Sequence, residues 1–176
     1  MRATVGLLDD GSSFADLGIE QIVKRAGLSR PTFYTYFKDK RDLILTLGQE
    51  LEAELLAVAE PWFQGDARSA PETIAAILEI FRLHSGVARA VTEAATYDPV
   101  VAEFWRAFHE HFLPGSRRRI AAGNPGLSAD ELSARSIALI FMTERTLIEH
   151  VTRPVGPDVA LVGQLAWLWE QAAAPG

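Results

Sequence analysis

No cysteine occurs in the 176 residues, so disulfides, zinc-thiolate sites, iron–sulfur clusters and thiol nucleophiles are excluded together. No run of about 18 uninterrupted apolar residues is present and no charged-then-apolar leader opens the chain, so neither a membrane span nor secretion is indicated. A cytoplasmic protein without a membrane partner is expected. The GxSxG, Walker A, GxGxxG and HExxH patterns are missing, and with them the usual signatures of catalysis or cofactor binding. His109 and His111 stand two apart on a predicted helix, hence on different faces, which makes them a poor metal pair. No enzyme activity, cofactor or metal is expected. Repeats and low-complexity tracts are absent as well. Positive charge is also in short supply: 17 Lys and Arg against 23 Asp and Glu give a net charge of −6, which taken alone argues against nucleic acid.

The positive charge that is present is concentrated. Lys24, Arg25, Arg30, Lys38, Lys40 and Arg41 all fall within residues 24–41, where Asp39 is the only acid. A local basic face on an acidic body suits a phosphate-binding module joined to a separate regulatory domain.

Apolar residues recur at spacings of three and four, with no sustained alternation, and this predicts an all-α chain. Residues 40–60 place Leu43, Ile44, Leu47, Leu51, Leu55 and Val58 on one stripe that Pro61 is expected to end. Helices are further predicted from Pro71 to about Ser85, over 99–113 with a kink or break at Pro114-Gly115, over 129–151 and over 158–172, separated by "PWFQGDARSAP", "GNPGLS" and "RPVGPD". The last two helices are apolar nearly all round ("IALIFM" and "VALVGQLAWLW"), so each has to be covered on two sides. A symmetric homodimer through the helices near 129–151 and 158–172 is the economical solution; the alternative is that both are central helices of a monomer. Glu144 and Arg145 are expected as a structural or interface pair, and Arg117 to Arg119 as a solvated run.

The stretch "GIEQIVKRAGLSRPTFYTYF" carries the most specific pattern. Ile19, Ile22, Val23 and Ala26 form the inner face of a short helix. Gly27 stands where a left-handed terminus is wanted, and Leu28 is read as a buried plug in the turn. Ser29 is a good N-cap for a second helix that tolerates Pro31 in its first turn. Phe33 and Phe37, four apart, hold that helix inward and turn Arg30, Thr32, Tyr34 and Thr35 outward or to the flanks. This is a helix-turn-helix. Arg30 can reach a guanine edge, and Thr32 a base or a thymine methyl. Tyr34 and Tyr36 offer hydroxyls to phosphates. Asp39 is read as the N-cap of the following helix, whose first turn holds Lys40 as a further phosphate contact. Geometry of this kind also occurs in purely structural helical domains.

The segment "FADLGIEQIVKRAGLSRPTFYTYFKDKRDLILTL" resembles the amino-terminal domain of TetR-family transcriptional regulators. "RAVTEAAT", "VAEFWRAF" and "FMTERTL" follow in the order and spacing of that family's EthR-like subgroup. The resemblance covers most of the chain. It implies a three-helix DNA-binding domain at residues 1–47 and a larger helical domain for ligand binding and dimerisation at 48–176. It assigns Arg30, Pro31 and Thr32 to bases, and Tyr34, Tyr36 and Lys40 to phosphates. Two departures stand out. Many relatives have histidine where Tyr36 stands, although the EthR-like group uses an aromatic. The family also begins with a full helix preceded by a basic arm, whereas "MRATVGLLDDGSSFADL" supplies only about two and a half turns with Gly6 inside; a late start or a missing arm would weaken DNA affinity rather than abolish the fold.

Aromatic residues argue the ligand side. Phe81, Phe104, Trp105, Phe108, Phe112, Met142, Leu147 and Trp169 lie on helices that have to converge, with Thr143 and Thr146 among them. In the EthR-like pattern Ile74, Phe81, Phe112, Ile140, Thr143 and Trp169 match pocket positions. Ile140 and Thr143 replace what is more often asparagine, which removes amide hydrogen-bonding capacity. An elongated lipophilic effector suits such walls, and for any one of these side chains core filling is the competing role. The function implied is a ligand-responsive repressor that binds a palindromic double-stranded DNA operator as a homodimer, with recognition helices about 34 Å apart or a multiple of that with staggered binding, and that a lipophilic small molecule releases. The helix at 40–60 would be the lever. The alternative is a small-molecule-binding protein of the same fold with weak or lost DNA binding; an enzyme using the aromatic pocket is disfavoured by the lack of paired titratable groups.

Overall fold

Gly27 takes the left-handed φ of 66° that ends the second helix, and the following Ser29 accepts the Thr32 amide at 3.3 Å to open the third. The computed structural model describes residues 1–66 and 68–174; Ala67 of the "PWFQGDARSAP" connection lies outside them. Among the described residues there are nine helices and no strand: α1 (Arg2–Asp9), α2 (Ile19–Ala26), α3 (Arg30–Tyr36), α4 (Lys40–Gln64), α5 (Ala70–Leu83), α6 (Ser85–Ala94), α7 (Pro99–Gly123), α8 (Ala129–Thr152) and α9 (Asp158–Ala173). The expected all-α class, with a helix-turn-helix first and a larger helical part after it, is the one observed.

Pro61 does not end its helix as expected, and Pro114 does not break its own. Pro61 lies inside α4 and Pro114 inside α7. A proline costs a helix one hydrogen bond and some steric fit, and at these positions packing outweighs that cost. Trp62 and Phe63, just beyond Pro61, are 5% and 6% exposed. The true end of α4 is Gly65, whose φ of 88° lets its own N–H reach Trp62 O at 3.1 Å and the Asp66 N–H reach Pro61 O at 3.0 Å. Beyond Pro114, Gly115 is held so close to Phe63 that an added Cβ would stand 2.5 Å from the ring. Asp39 caps α4 as read from the sequence, accepting the Asp42 amide at 2.8 Å. Ser128 and Glu131 form a reciprocal capping box on α8.

Packing groups the chain into two compact units, residues 1–53 with 84–107, and 54–83 with 108–176. In the first, α1 packs on α6 and α2, and α2 on α3. Leu8, Ile22, Val23, Phe33, Leu43, Ile44, Leu47 and Leu51 form its core, each worth about 1.5–3 kcal/mol of burial. Leu28 and Ala26 depart from expectation: both are exposed, Leu28 by 50%, because Gly27 swings the turn outward. Residues 13–15 are clasped from two sides. The Glu93 carboxylate on α6 accepts Ser13 Oγ–H at 2.7 Å, Phe14 N–H at 3.2 Å and Ala15 N–H at 3.0 Å. Lys40 Nζ donates to the Phe14 and Ala15 carbonyls at 2.7 and 3.0 Å. Gly86 lets α6 approach α1: its N–H bonds Asp9 Oδ1 at 3.2 Å, and Arg89 donates to Leu8 O.

In the second unit α5 packs on α8 and α9. Leu139, Ile140, Thr143 and Leu147 of α8 and Val162, Leu165, Ala166 and Trp169 of α9 are buried. The opposite faces of the same two helices stay open in the single chain, with Ile137, Phe141, Val159 and Trp167 between 43% and 80% exposed. His150, 1% exposed, fastens the α8–α9 connection: its Nδ1 accepts Val155 N–H at 3.4 Å, which leaves Nε2–H to donate to Asp158 Oδ1 at 2.8 Å. Arg82 of α5 reaches Asp158 Oδ2 at 2.8 Å. The His150 bond first, and the Arg82 bond after it, hold the Asp158 carboxyl below the usual carboxylate range. A depressed folded pKa stabilises above the unfolded value of about 3.9 and is lost as pH falls through the folded one. The melting-temperature gap between wild type and Asp158→Ala is therefore expected to be constant at neutral pH and to close as pH drops below about 4, in thermal melts at stepped pH.

The expected pairing of Glu144 with Arg145 does not form. Arg145 bonds Glu149 at 2.5 Å on the surface, while Glu144 turns inward. Nor are Arg117 to Arg119 simply solvated. Arg118 pairs with Glu60 at 2.5 Å, Arg119 lies 4.9 Å over the Trp62 ring, and both Arg117 and Arg119 are half-buried.

Candidate functional site

Because Phe33 is buried and Phe37 half-buried, α3 presents its remaining side chains outward. Tyr36 is 73% exposed, and Arg30, Pro31, Tyr34 and Thr35 are exposed beside it. Thr32 is half-buried against the cap, its hydroxyl 2.8 Å from Ser29 Oγ, and the Thr35 hydroxyl donates to Thr32 O at 2.6 Å. Arg30 is held in place: Nη1 pairs with Glu20 Oε1 at 3.2 Å, Nη2 approaches the Tyr34 hydroxyl at 3.4 Å, and the guanidinium lies 5.9 Å from the Tyr34 ring centroid. These exposed pairs are weak and orient the guanidinium without consuming it. The Glu20 partner was missed in the sequence.

Lys40 is placed otherwise than the sequence suggested. Its ammonium bonds the carbonyls of residues 14 and 15 and sits 4.6 Å over the Phe14 ring. Burial lowers its pKa against the pull of Glu93 and Asp16. Lys40 thus clamps the loop before α2.

A cavity of about 70 Å³ lies wholly within the second unit. Its wall is built by Leu55, Ala59, Trp62 and Phe63 of α4, Ala70, Thr73, Ile74, Ile77 and Phe81 of α5, Phe108 and Phe112 of α7, Ile140, Thr143 and Glu144 of α8, and Trp169 of α9. The helical repeat explains the α5 and α8 contributions, since residues three and four apart share a face. Trp62 and Trp169 meet edge to face with centroids 5.5 Å apart, and Trp169 Nε1–H donates to Thr143 Oγ1 at 2.8 Å.

Of the residues expected there, Ile74, Phe81, Phe108, Phe112, Ile140, Thr143 and Trp169 line the cavity. Two do not. Leu147 is wholly buried in the core, and Trp105 is half-buried in the first unit. Residues less than a turn apart on one helix can serve different cores, and α7 does so: Trp105 falls before the division at 107 and Phe108 after it. Trp62 and Phe63 were hidden behind a proline read as a helix end. Glu144, whose side chain is 14% exposed, faces His109 Nε2 at 3.6 Å, and no spacing in the sequence announced it.

A capped, outward-facing recognition helix, followed by a helical unit that encloses an apolar cavity, defines a helix-turn-helix regulator of transcription. The family model for "Bacterial regulatory proteins, tetR family" matches residues 12–47, and that for "Transcriptional regulator EthR, C-terminal domain" matches residues 70–173. The chain belongs to the tetR family of bacterial regulators, in its EthR-like branch. Relatives named "HTH-type transcriptional regulator EthR" are 30% identical to it: that of Mycolicibacterium smegmatis over 180 residues, 95% of this chain and 81% of the relative, and those of Mycobacterium tuberculosis and Mycobacterium bovis over 177 residues, 95% and 82%. The chain is accordingly a DNA-binding regulator and not an enzyme. Among the described residues no helix is long and apolar enough to cross a membrane.

Proposed function

We propose that the chain is a ligand-responsive repressor that binds a palindromic operator as a homodimer and releases it when a lipophilic small molecule enters the cavity. The DNA-binding role falls to residues 1–47, with Arg30, Pro31 and Thr32 at base edges and Tyr34, Thr35 and Tyr36 at the backbone. Ligand binding and dimerisation fall to 48–176. The observation that carries this reading is α3 itself, seven residues held inward by Phe33, with Phe37 at its C-cap, and with Arg30, Pro31, Tyr34, Thr35 and Tyr36 turned outward. Dimerisation is supported by the open apolar faces of α8 and α9, since Ile137, Phe141, Val159 and Trp167 are exposed apolar side chains that a second copy would cover. A cytoplasmic location fits work on DNA.

The effector reading is supported by an apolar cavity within one unit, and its size supplies the mechanism. A void of about 150 Å³ admits benzene, whereas this one measures about 70 Å³. An organic effector therefore has to widen it, and that widening is the difference between the two states that lets ligand shift operator affinity. The small volume argues against an effector that is elongated and fits without rearrangement. α4 carries four cavity residues near its end and the Lys40 clamp at its start, which suits it to pass the change on.

Fluorescence anisotropy of labelled DNA from upstream of the gene tests the reading. Tight binding that weakens steeply as salt rises, and that short aromatic lipophiles reverse, is expected. Absence of binding at low salt would favour the same fold with DNA binding lost, to which the engaged Lys40 lends support.

A further inference from the structure

The cavity wall has a chemical bias that its apolar character conceals. Six rings, those of Trp62, Phe63, Phe81, Phe108, Phe112 and Trp169, turn toward one space in which Glu144 is the only ionisable side chain of the lining and in which no lysine, arginine or histidine takes part. Thr143 already accepts a hydrogen bond from Trp169. His109 Nε2, at 3.6 Å from Glu144, stands beyond hydrogen-bond distance, so the carboxylate keeps acceptor capacity. Aromatic faces attract cations through their ring quadrupoles, and Trp62 does so here, with the Arg119 guanidinium 4.9 Å from its ring.

Each class of occupant meets this wall differently. A carboxylic acid would set a second negative charge beside Glu144, whose basic neighbour His109, 3.6 Å away, already faces the first, and the low dielectric makes repulsion strong. A neutral lipophile would strip water from the carboxylate without replacing its hydrogen bonds. A protonated amine on an apolar body satisfies both the carboxylate and the rings. We propose that the effector selected by this cavity is a compact lipophilic amine whose ammonium is received by Glu144; this rests on the cavity being the effector site.

Calorimetric titration of the full chain with phenylbutylamine, phenylbutanol and phenylbutanoate tests it, since the three share one body and differ in the head group. The amine is expected to bind roughly tenfold more tightly than the alcohol, the size of a charge-assisted hydrogen bond, and the carboxylate most weakly. In Glu144→Gln the amine is expected to fall to the affinity of the alcohol, with the alcohol unchanged. Alcohol and amine binding equally, or an amine preference that survives Glu144→Gln, would overturn the amine inference and leave the effector site standing. If none of the three binds, the effector-site reading falls, and this inference with it.

Discussion

Glu93→Ala is expected to lower stability by about 2 kcal/mol, or roughly 4–8 °C in melting temperature. The Glu93 carboxylate is the acceptor for two backbone amides and one hydroxyl in residues 13–15. Burial works to raise its pKa but is outweighed, first by the Ser13 bond and then by the Ala15 and Phe14 amides, so the carboxyl sits below its usual range. Removing it leaves the part-buried Phe14 amide without its acceptor, although the Ala15 amide keeps Ser13 Oγ at 3.1 Å, and takes away the anion that balances Lys40. Glu93→Gln keeps one acceptor oxygen and is expected to recover about half of the loss. Thermal melts give the magnitude. Hydrogen exchange localises it, because faster exchange is expected at Phe14 and Ala15 before any change in α5.

The second large effect is expected at Gly86. A Cβ there would stand 2.5 Å from Asp9 Oδ1 and 2.8 Å from both the carbonyl carbon and Cβ of Leu8. Asp9 can rotate away, but the Leu8 backbone cannot, so Gly86→Ala has to push α1 off α6. The cost is about 1–3 kcal/mol, and with it go the Gly86 N–H bond to Asp9 and the Arg89 bond to Leu8 O. Since α1 also packs on α2, the variant is expected to bind operator DNA several-fold less tightly even at temperatures where it stays folded. A lowered melting temperature with unchanged DNA affinity would separate the α1 support from the recognition surface.

These two sites explain much of what the sequence did and did not reveal. The helix-turn-helix was legible because its signals are local: a glycine at a left-handed turn, a serine cap three residues before its amide partner, and two phenylalanines four apart. The α6 helix was not, because "SGVARAVTEA" is mostly small residues buried on several sides, among them Gly86, Val87, Ala88, Ala90, Val91 and Ala94, and so displays no stripe. Lys40 was legible as a cation near a helix start but not as a clamp, since its partners lie 25 and 26 residues away. Pro61 and Pro114 misled for a similar reason. Local propensity argues for a stop, and only the burial of Trp62, Phe63 and Gly115 shows why the helices continue. Seven of the fifteen residues that line the cavity were anticipated, from aromatic spacing and from the family resemblance together, and its ionisable Glu144 was not.

Comparing wild type with Arg30→Ala on the palindromic upstream operator proposed above, by anisotropy at several salt concentrations, is the most direct measure of the central claim that α3 reads DNA. A base contact made by Arg30 is worth about 1–3 kcal/mol, so affinity should fall roughly 10–100-fold, and discrimination between the palindrome and a scrambled duplex should shrink with it. An Arg30→Ala chain that is folded yet keeps both its affinity and its base preference would contradict the account.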